Sequence, residues 1–176
     1  MDGVIADFAN RSLERMGIDP DICTDRSSHS IETWPGVECS KGAFWKAIEG
    51  WDALGFWSNL PKFEWSDALV RMCNRYGDVS LATSPSTHPD SWSGKMHWIG
   101  KHYPQFIRKT MMGPQKYLMA NENTILIDDN DDNIAEFRKH GGIGITFPQP
   151  WNTSSVHRSG HVQYVEERLD VLLKIR

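Results

Sequence analysis

Thr124-Ile125-Leu126-Ile127-Asp128-Asp129 runs an aliphatic triplet straight into two adjacent carboxylates. A short apolar run bounded by charge reads as a strand buried on both faces, the type found in parallel sheets. Its acidic pair then stands at the strand's carboxyl end. Downstream, the spacing predicts a helix over 133–140 stopped by Gly141-Gly142, and a strand over 143–147. Upstream it predicts a short helix over 115–120 and a weaker strand over 107–112.

The same alternation extends in both directions. A helix over 89–102, with Trp92, Met96 and Ile99 on one side, follows a strand over 79–83 that exits through Ser84-Pro85. Before it, residues 65–76 have helical spacing of Leu69, Met72 and Cys73, with Gly77 as the stop. A last helix over 162–175 places Val165, Leu169, Leu172 and Leu173 on one face. Strands alternating with helices predict an α/β protein with a Rossmann-like parallel sheet and helices on both faces. Sites in such sheets lie at the carboxyl ends of the strands. Asp2-Gly3, Thr83-Ser84 and Asp128-Asp129 all fall at such ends.

Residues 14–63 break the pattern. Pro20, Pro35, Gly36 and Gly42 punctuate them, and their helical pieces are short and aromatic. The expected organisation is a core of residues 1–13 and 64–176, with 14–63 inserted as a small helical cap over the carboxyl-end face. Five of the chain's eight tryptophans lie at positions 34, 45, 51, 57 and 65. Most are expected to be packing residues.

At 176 residues the chain can bury one substantial core. Its net charge of −4 provides no positive field for a nucleic-acid polymer. Three cysteines without C-x-x-C spacing suit a reducing compartment. No apolar run approaches a membrane span, and Asp2 and Asp7 stand where a signal peptide needs positive charge. The expected location is cytoplasmic, without a membrane partner. The last helix is expected either to dock on the sheet or to pair with a second copy in a homodimer; periodicity leaves both open.

Asp128-Asp129 supplies hard oxygen ligands of the kind Mg²⁺ takes alongside water and phosphate. The alternative is a solvated turn, with Asp131 or Asp132 capping the next helix. A calcium loop is excluded, because Asn133 stands where its glycine belongs and Lys139 where its bidentate glutamate belongs. Thr83-Ser84 offers hydroxyls to a phosphate oxygen, or is an ordinary strand exit. Lys116 is a surface charge, or neutralises phosphate at this face. Asp2-Gly3-Val4-Ile5-Ala6-Asp7-Phe8 reads as the second half of a loop in which two carboxylates alternate, the first attacking phosphorus. On that reading Asp2 protonates a leaving alcohol and then activates water.

These four segments, in their order along the chain, resemble the motifs of the haloacid dehalogenase superfamily. Within it the chain is most similar to the 5′(3′)-deoxyribonucleotidases, including bacterial and phage members. The resemblance implies a Mg²⁺-dependent phosphatase that acts on deoxyribonucleoside monophosphates through an aspartyl-phosphate. It implies Asp2 as general acid/base and backbone metal ligand, Thr83 and Ser84 on the phosphoryl group, Lys116 as the third-motif lysine, and Asp128 with Asp129 on Mg²⁺. It also implies that Phe8 stacks on the nucleobase and that Phe56-Trp57 closes over the nucleoside; core packing is the equal alternative for Phe8 and Trp57. The attacking aspartate of the family, and the strand leading to it, would precede Met1. Truncation is the expected reason, because loss of a central strand would strand two rows of backbone groups. The alternatives are another small phosphomonoester as substrate, or a non-catalytic nucleotide or phosphate binder.

Overall fold

The computed structural model describes residues 1–174. Helix α1 (Phe8–Arg15) is followed by short 3₁₀ turns, then α2 (Lys41–Glu49), α3 (Ala53–Ser58) and α4 (Ser66–Cys73). Strand β1 (Leu81–Thr83), helix α5 (Pro89–His102) and strand β2 (Thr110–Met112) come next. Strand β3 (Ile125–Asp128), α6 (Asp131–Lys139), β4 (Ile143–Thr146) and α7 (His161–Lys174) complete the chain.

The mixed order of short parallel strands and helices is the α/β class expected. Pairing, however, is by twos. β1 lies parallel to β2, with Leu81 opposite Thr110, and β3 parallel to β4, with Ile125 opposite Ile143. No backbone ladder joins the two pairs among the described residues. Between β1 and β3 lies a groove of about 680 Å³ lined by Val4, Leu69, Leu81, Ile125, Ile127 and Leu169.

Helix ends follow local chemistry, with corrections to the sequence reading. Asn130, rather than Asp131 or Asp132, caps α6 through its side-chain oxygen on the Asn133 N–H at 3.1 Å. Asp131 accepts instead from Thr146 and Thr153, tying down the loop after β4. Gly141 ends α6 at φ +87°, a backbone region that favours glycine. Gly77 plays no such part, because α4 already closes at Asn74, whose side-chain amide donates to the Val70 carbonyl at 2.9 Å. The expected strand over 107–112 is half 3₁₀ helix, Pro104–Lys109, because Pro104 opens a helical turn there.

Helix α5 has its predicted bounds, and Ile99 and half-buried Met96 of the predicted side pack on the core, but the inward face is shifted away from Trp92. Ser91, Gly94, Lys95, Trp98 and Ile99 point inward, while Trp92 is exposed. The reason is α3, which crosses α5 at Gly94. A Cβ there would stand 2.5 Å from Trp57 Cβ and 3.1 Å from the Leu54 carbonyl oxygen. α7 docks on α4 through buried Val165 and Leu169, and the His161 ring stacks on Trp65 at 4.2 Å. Leu173 of the predicted stripe is exposed, and Ile175 lies outside the described residues. No helix among the described residues is long and apolar enough to cross a membrane.

Because α3 carries Trp57, the Gly94 crossing sets where that ring stands. Gly94→Ala is expected to cost about 1–3 kcal/mol by overpacking. Thermal melting should show a Tm lower by roughly 3–10 °C; an unchanged Tm would mean that the helices part without penalty.

Candidate functional site

The first loop folds tightly on itself. The Val4, Ile5 and Ala6 amides all point at the Met1 carbonyl, at 2.9–3.2 Å. Gly3 turns at φ +68° and stands so close to β3's end that a Cβ would lie 2.2 Å from Asp129 Oδ2. Only glycine fits there. The Asp2 loop and the Asp128-Asp129 pair, read as separate strand-end clusters, are thereby in contact.

Asp128 and Asp129 are both buried. Asp128 Oδ1 accepts from the Asn130 N–H at 3.1 Å and from Asn133 Nδ2 at 2.9 Å, and Oδ2 pairs with Lys116 Nζ. Burial alone would raise its carboxyl pKa; Lys116, the Met1 ammonium and Asn133 outweigh that and hold it below the usual range. Asp129 has no such cation. Burial first, and then the Asp128 charge, push its pKa up to about 6. Trp151 Nε1 donates to its Oδ2 at 3.0 Å, and His29 Nε2 stands 3.8 Å from the same oxygen.

A second ion pair lies beneath. Lys95 of α5 is 0% exposed, pairs with Asp2 Oδ2 and donates to Thr83 Oγ1 at 3.1 Å. Burial lowers its pKa, and the Asp2 charge opposes that shift. Its ammonium also lies 4.4 Å over the Trp57 ring. Asp2 Oδ1 is buried without a hydrogen-bond partner among the described residues. The Met1 amino group donates to the Ala82 carbonyl at 3.1 Å; burial, then Lys116, bring its pKa down to about 6.

A pocket of about 400 Å³ opens on this cluster. Asp2, Lys116, Asp128 and Asp129 line its charged end, with Ser84 beside them. Phe8, Phe44, Trp45 and Trp57 form its aromatic wall, and His29 and Trp151 also line it. Phe8 stacks on Trp57 at 5.2 Å and 10°, so the ring pair is both packing and wall. Trp57 is fixed by its indole N–H on Glu49 Oε1 at 2.9 Å, and the same oxygen accepts from Ser86 Oγ.

The sequence-predicted residues are therefore divided. Asp2, Phe8, Trp57, Ser84, Lys116, Asp128 and Asp129 share one pocket. Thr83 is buried behind it, held by Lys95. Phe56 is 0% exposed and meets Phe8 and Trp57 edge-on, supporting the wall from behind. Sequence reading missed Lys95, Asn133, Trp151 and His29. Lys95 alone left a trace, since it shares the inward stripe of α5 with Ser91, Trp98 and Ile99.

Among the described residues, no three His, Cys, Asp or Glu side chains group closely enough to cage a metal ion by themselves. Mg²⁺ needs no such cage, since it keeps several waters and takes one or two carboxylates plus phosphate. The orphaned Asp2 oxygen and the uncompensated Asp129 carboxyl are what a site awaiting a cation presents.

A family model described as 5′ nucleotidase, deoxy (pyrimidine), cytosolic type C protein matches residues 1–175. A protein of Bacillus subtilis (strain 168) and one of Bacillus phage SPbeta, each named 5′(3′)-deoxyribonucleotidase, are 28% identical over 98 residues. That stretch is 53% of this chain and 52% of each relative. A Staphylococcus epidermidis protein is 26% identical over 106 residues, 59% of this chain and 55% of its own length. The chain spans about half the length of the curated relatives it matches.

Asp129 gives a pH signature. A carboxyl whose folded pKa exceeds its unfolded value favours the fold when protonated. Its contribution is complete below about pH 4 and is lost as pH rises through about 6. Asp129→Asn, which mimics the protonated form, should therefore raise the Tm of chelator-treated protein at pH 7.5. Two pKa units set its scale at roughly 2–3 kcal/mol. The gain should vanish near pH 4; melting curves showing equal gains at both pH values would reject the assignment.

Proposed function

The chain belongs to the 5′ nucleotidase, deoxy (pyrimidine), cytosolic type C protein family, and from that premise we propose that its pocket serves Mg²⁺-dependent hydrolysis of deoxyribonucleoside monophosphates. One observation carries the reading: a buried carboxylate–lysine cluster and an aromatic wall share a single pocket of about 400 Å³. That volume is within the usual span for a small ligand, about 300–1,000 Å³. The apolar wall suits a flat base and sugar, and the charged end suits phosphate.

Phe8, Trp45 and Trp57 receive the base. Ser84 and Lys116 bind phosphoryl oxygens, with Thr83 fixing Lys95 behind them. Asp128, Asp129 and the main-chain oxygen of Asp2 hold Mg²⁺. The metal, when bound, draws off the phosphate's negative charge and keeps the ester polarised. Lys95 holds Asp2 Oδ2, so Asp2 keeps one rotamer at the pocket, where its carboxyl moves a proton to and from the departing sugar oxygen. We read the two strand pairs as halves of one doubly wound sheet, residues 14–63 as a helical cap over it, and the free thiols as suited to a reducing cytoplasm.

The resemblance assigns attack on phosphorus to a carboxylate one position ahead of Met1. Met1 itself lines the pocket, which supports a group at that position reaching the site. Within the chain, Asp2 and Asp128 are both engaged by lysines.

The test compares the 176-residue protein with a version extended by an engineered apolar strand ending in Asp directly before Met1. Each is scored by kcat/KM on 5′- and 3′-deoxynucleotides, sugar phosphates and an aryl phosphate. The extended protein should hydrolyse deoxynucleotides best and only with Mg²⁺, and Asp128→Asn should lower that rate by roughly 100-fold or more. Turnover that survives Asp128→Asn would discard the metal assignment. A preference for sugar phosphates would discard the nucleotide.

A further inference from the structure

Residues 147–154 follow β4 and contribute none of the motif residues, yet they are among the most tightly bonded parts of the molecule. Asn152 uses its whole amide. Nδ2 donates to the carbonyls of Asp129 and Phe147, at 2.9 and 2.7 Å, and Oδ1 accepts from the Gln149 and Ser154 N–H groups, at 3.3 and 3.1 Å. Gln149 Nε2 donates to the Gly3 carbonyl at 2.6 Å. Gln149, Asn152 and Ser154 are all buried. The loop thus holds both the first loop and the backbone of Asp129, and it carries Trp151 at a fixed place.

Trp151 is also held from the other side. Its ring packs on Trp34 at 5.9 Å, and Trp34 is anchored by its indole N–H on the Ser28 carbonyl at 2.6 Å. Arg26 fastens the same segment by donating to the Cys23 and Pro20 carbonyls and to Asn10 Oδ1, at 2.6–2.8 Å. His29 meets the Trp151 ring edge-on at 6.5 Å. The indole N–H is therefore pre-positioned on Asp129 Oδ2, while Asp129 Oδ1 accepts no hydrogen bond among the described residues.

We propose that Trp151 makes Asp129 a one-oxygen ligand, and by doing so sets the site's preference for Mg²⁺ over Ca²⁺. Mg²⁺ demands near-ideal octahedral geometry with few carboxylates, whereas Ca²⁺ takes more oxygens and readily accepts both from one carboxylate. An indole N–H on Oδ2 stops Asp129 from closing on an ion with both oxygens. It also fixes the rotamer, so a small ion meets Oδ1 without reorganisation. Trp151 is a positioning residue; it acts through Asp129. The inference rests on the Mg²⁺ reading above.

The test is direct binding. The 176-residue protein, stripped of metal with a chelator, is titrated calorimetrically with Mg²⁺ and separately with Ca²⁺, as wild type and as Trp151→Phe. Phenylalanine keeps an aromatic ring against Trp34 and His29 and removes the donor. The wild type should bind Mg²⁺ more tightly, and W151F should shift the ratio of the two dissociation constants toward Ca²⁺ by about tenfold. If W151F fails to fold, benzothienylalanine at position 151 makes the same comparison, because sulfur replaces the N–H in a ring of nearly equal shape. An unchanged ratio, or a wild type that prefers Ca²⁺, overturns the role given to Trp151. A wild type that binds neither ion overturns the metal reading beneath it, so the two failures are distinct.

Discussion

Three carboxylates, the Lys95 and Lys116 ammonium groups and the Met1 amino group share the buried space where the first loop, β1 and β3 end, and the balance among them governs everything built around it. Asp2 is matched by Lys95 and Asp128 by Lys116. Removing either partner would leave a buried charge alone, a change of about 3–5 kcal/mol. Asp129 is the carboxylate left over. It accepts an indole N–H and has His29 3.8 Å away, and burial together with the Asp128 charge disfavours its ionised form. A fold that tolerates such a group keeps a demand for positive charge at one chosen point.

The aromatic wall is bound to that balance through the same helix. Lys95 touches Asp2, Thr83 and the face of Trp57, and Gly94, its neighbour, admits the helix that carries Trp57. One turn of α5 therefore sets both the charged floor and one side of the slot above it. Glu49 closes the arrangement by taking the Trp57 indole N–H and the Ser86 hydroxyl together. Ring orientation and strand-end geometry are in this way positioned by common neighbours.

What was legible in the sequence was local. An aliphatic run stopping at two aspartates is a buried strand wherever it occurs, and the 89–102 helix has Pro at its start and Tyr103-Pro104 at its close. Gly141 ends a helix because the backbone there turns to positive φ; Gly77 looks the same in sequence, but Asn74 ends α4 first. The inward face of α5 was hidden because a buried lysine and a glycine define it, and both become inward residues only through partners distant in sequence. Phe56 and Trp57 are adjacent and both buried, yet only Trp57 of the two reaches the pocket lining. Trp151 and His29 carry no motif; they matter because two irregular segments meet.

The pairing of strands by twos has a mechanical consequence. Along each pair, backbone hydrogen bonds resist stretching, but among the described residues β1 and β3 are joined by side chains and by the first loop wedged at one end rather than by a ladder. Ser84 stands on one bank and Asp128 on the other, so the width of the gap that a bound group must bridge is set by the contacts across the seam. Whatever stiffens the seam also calibrates the span between the two banks.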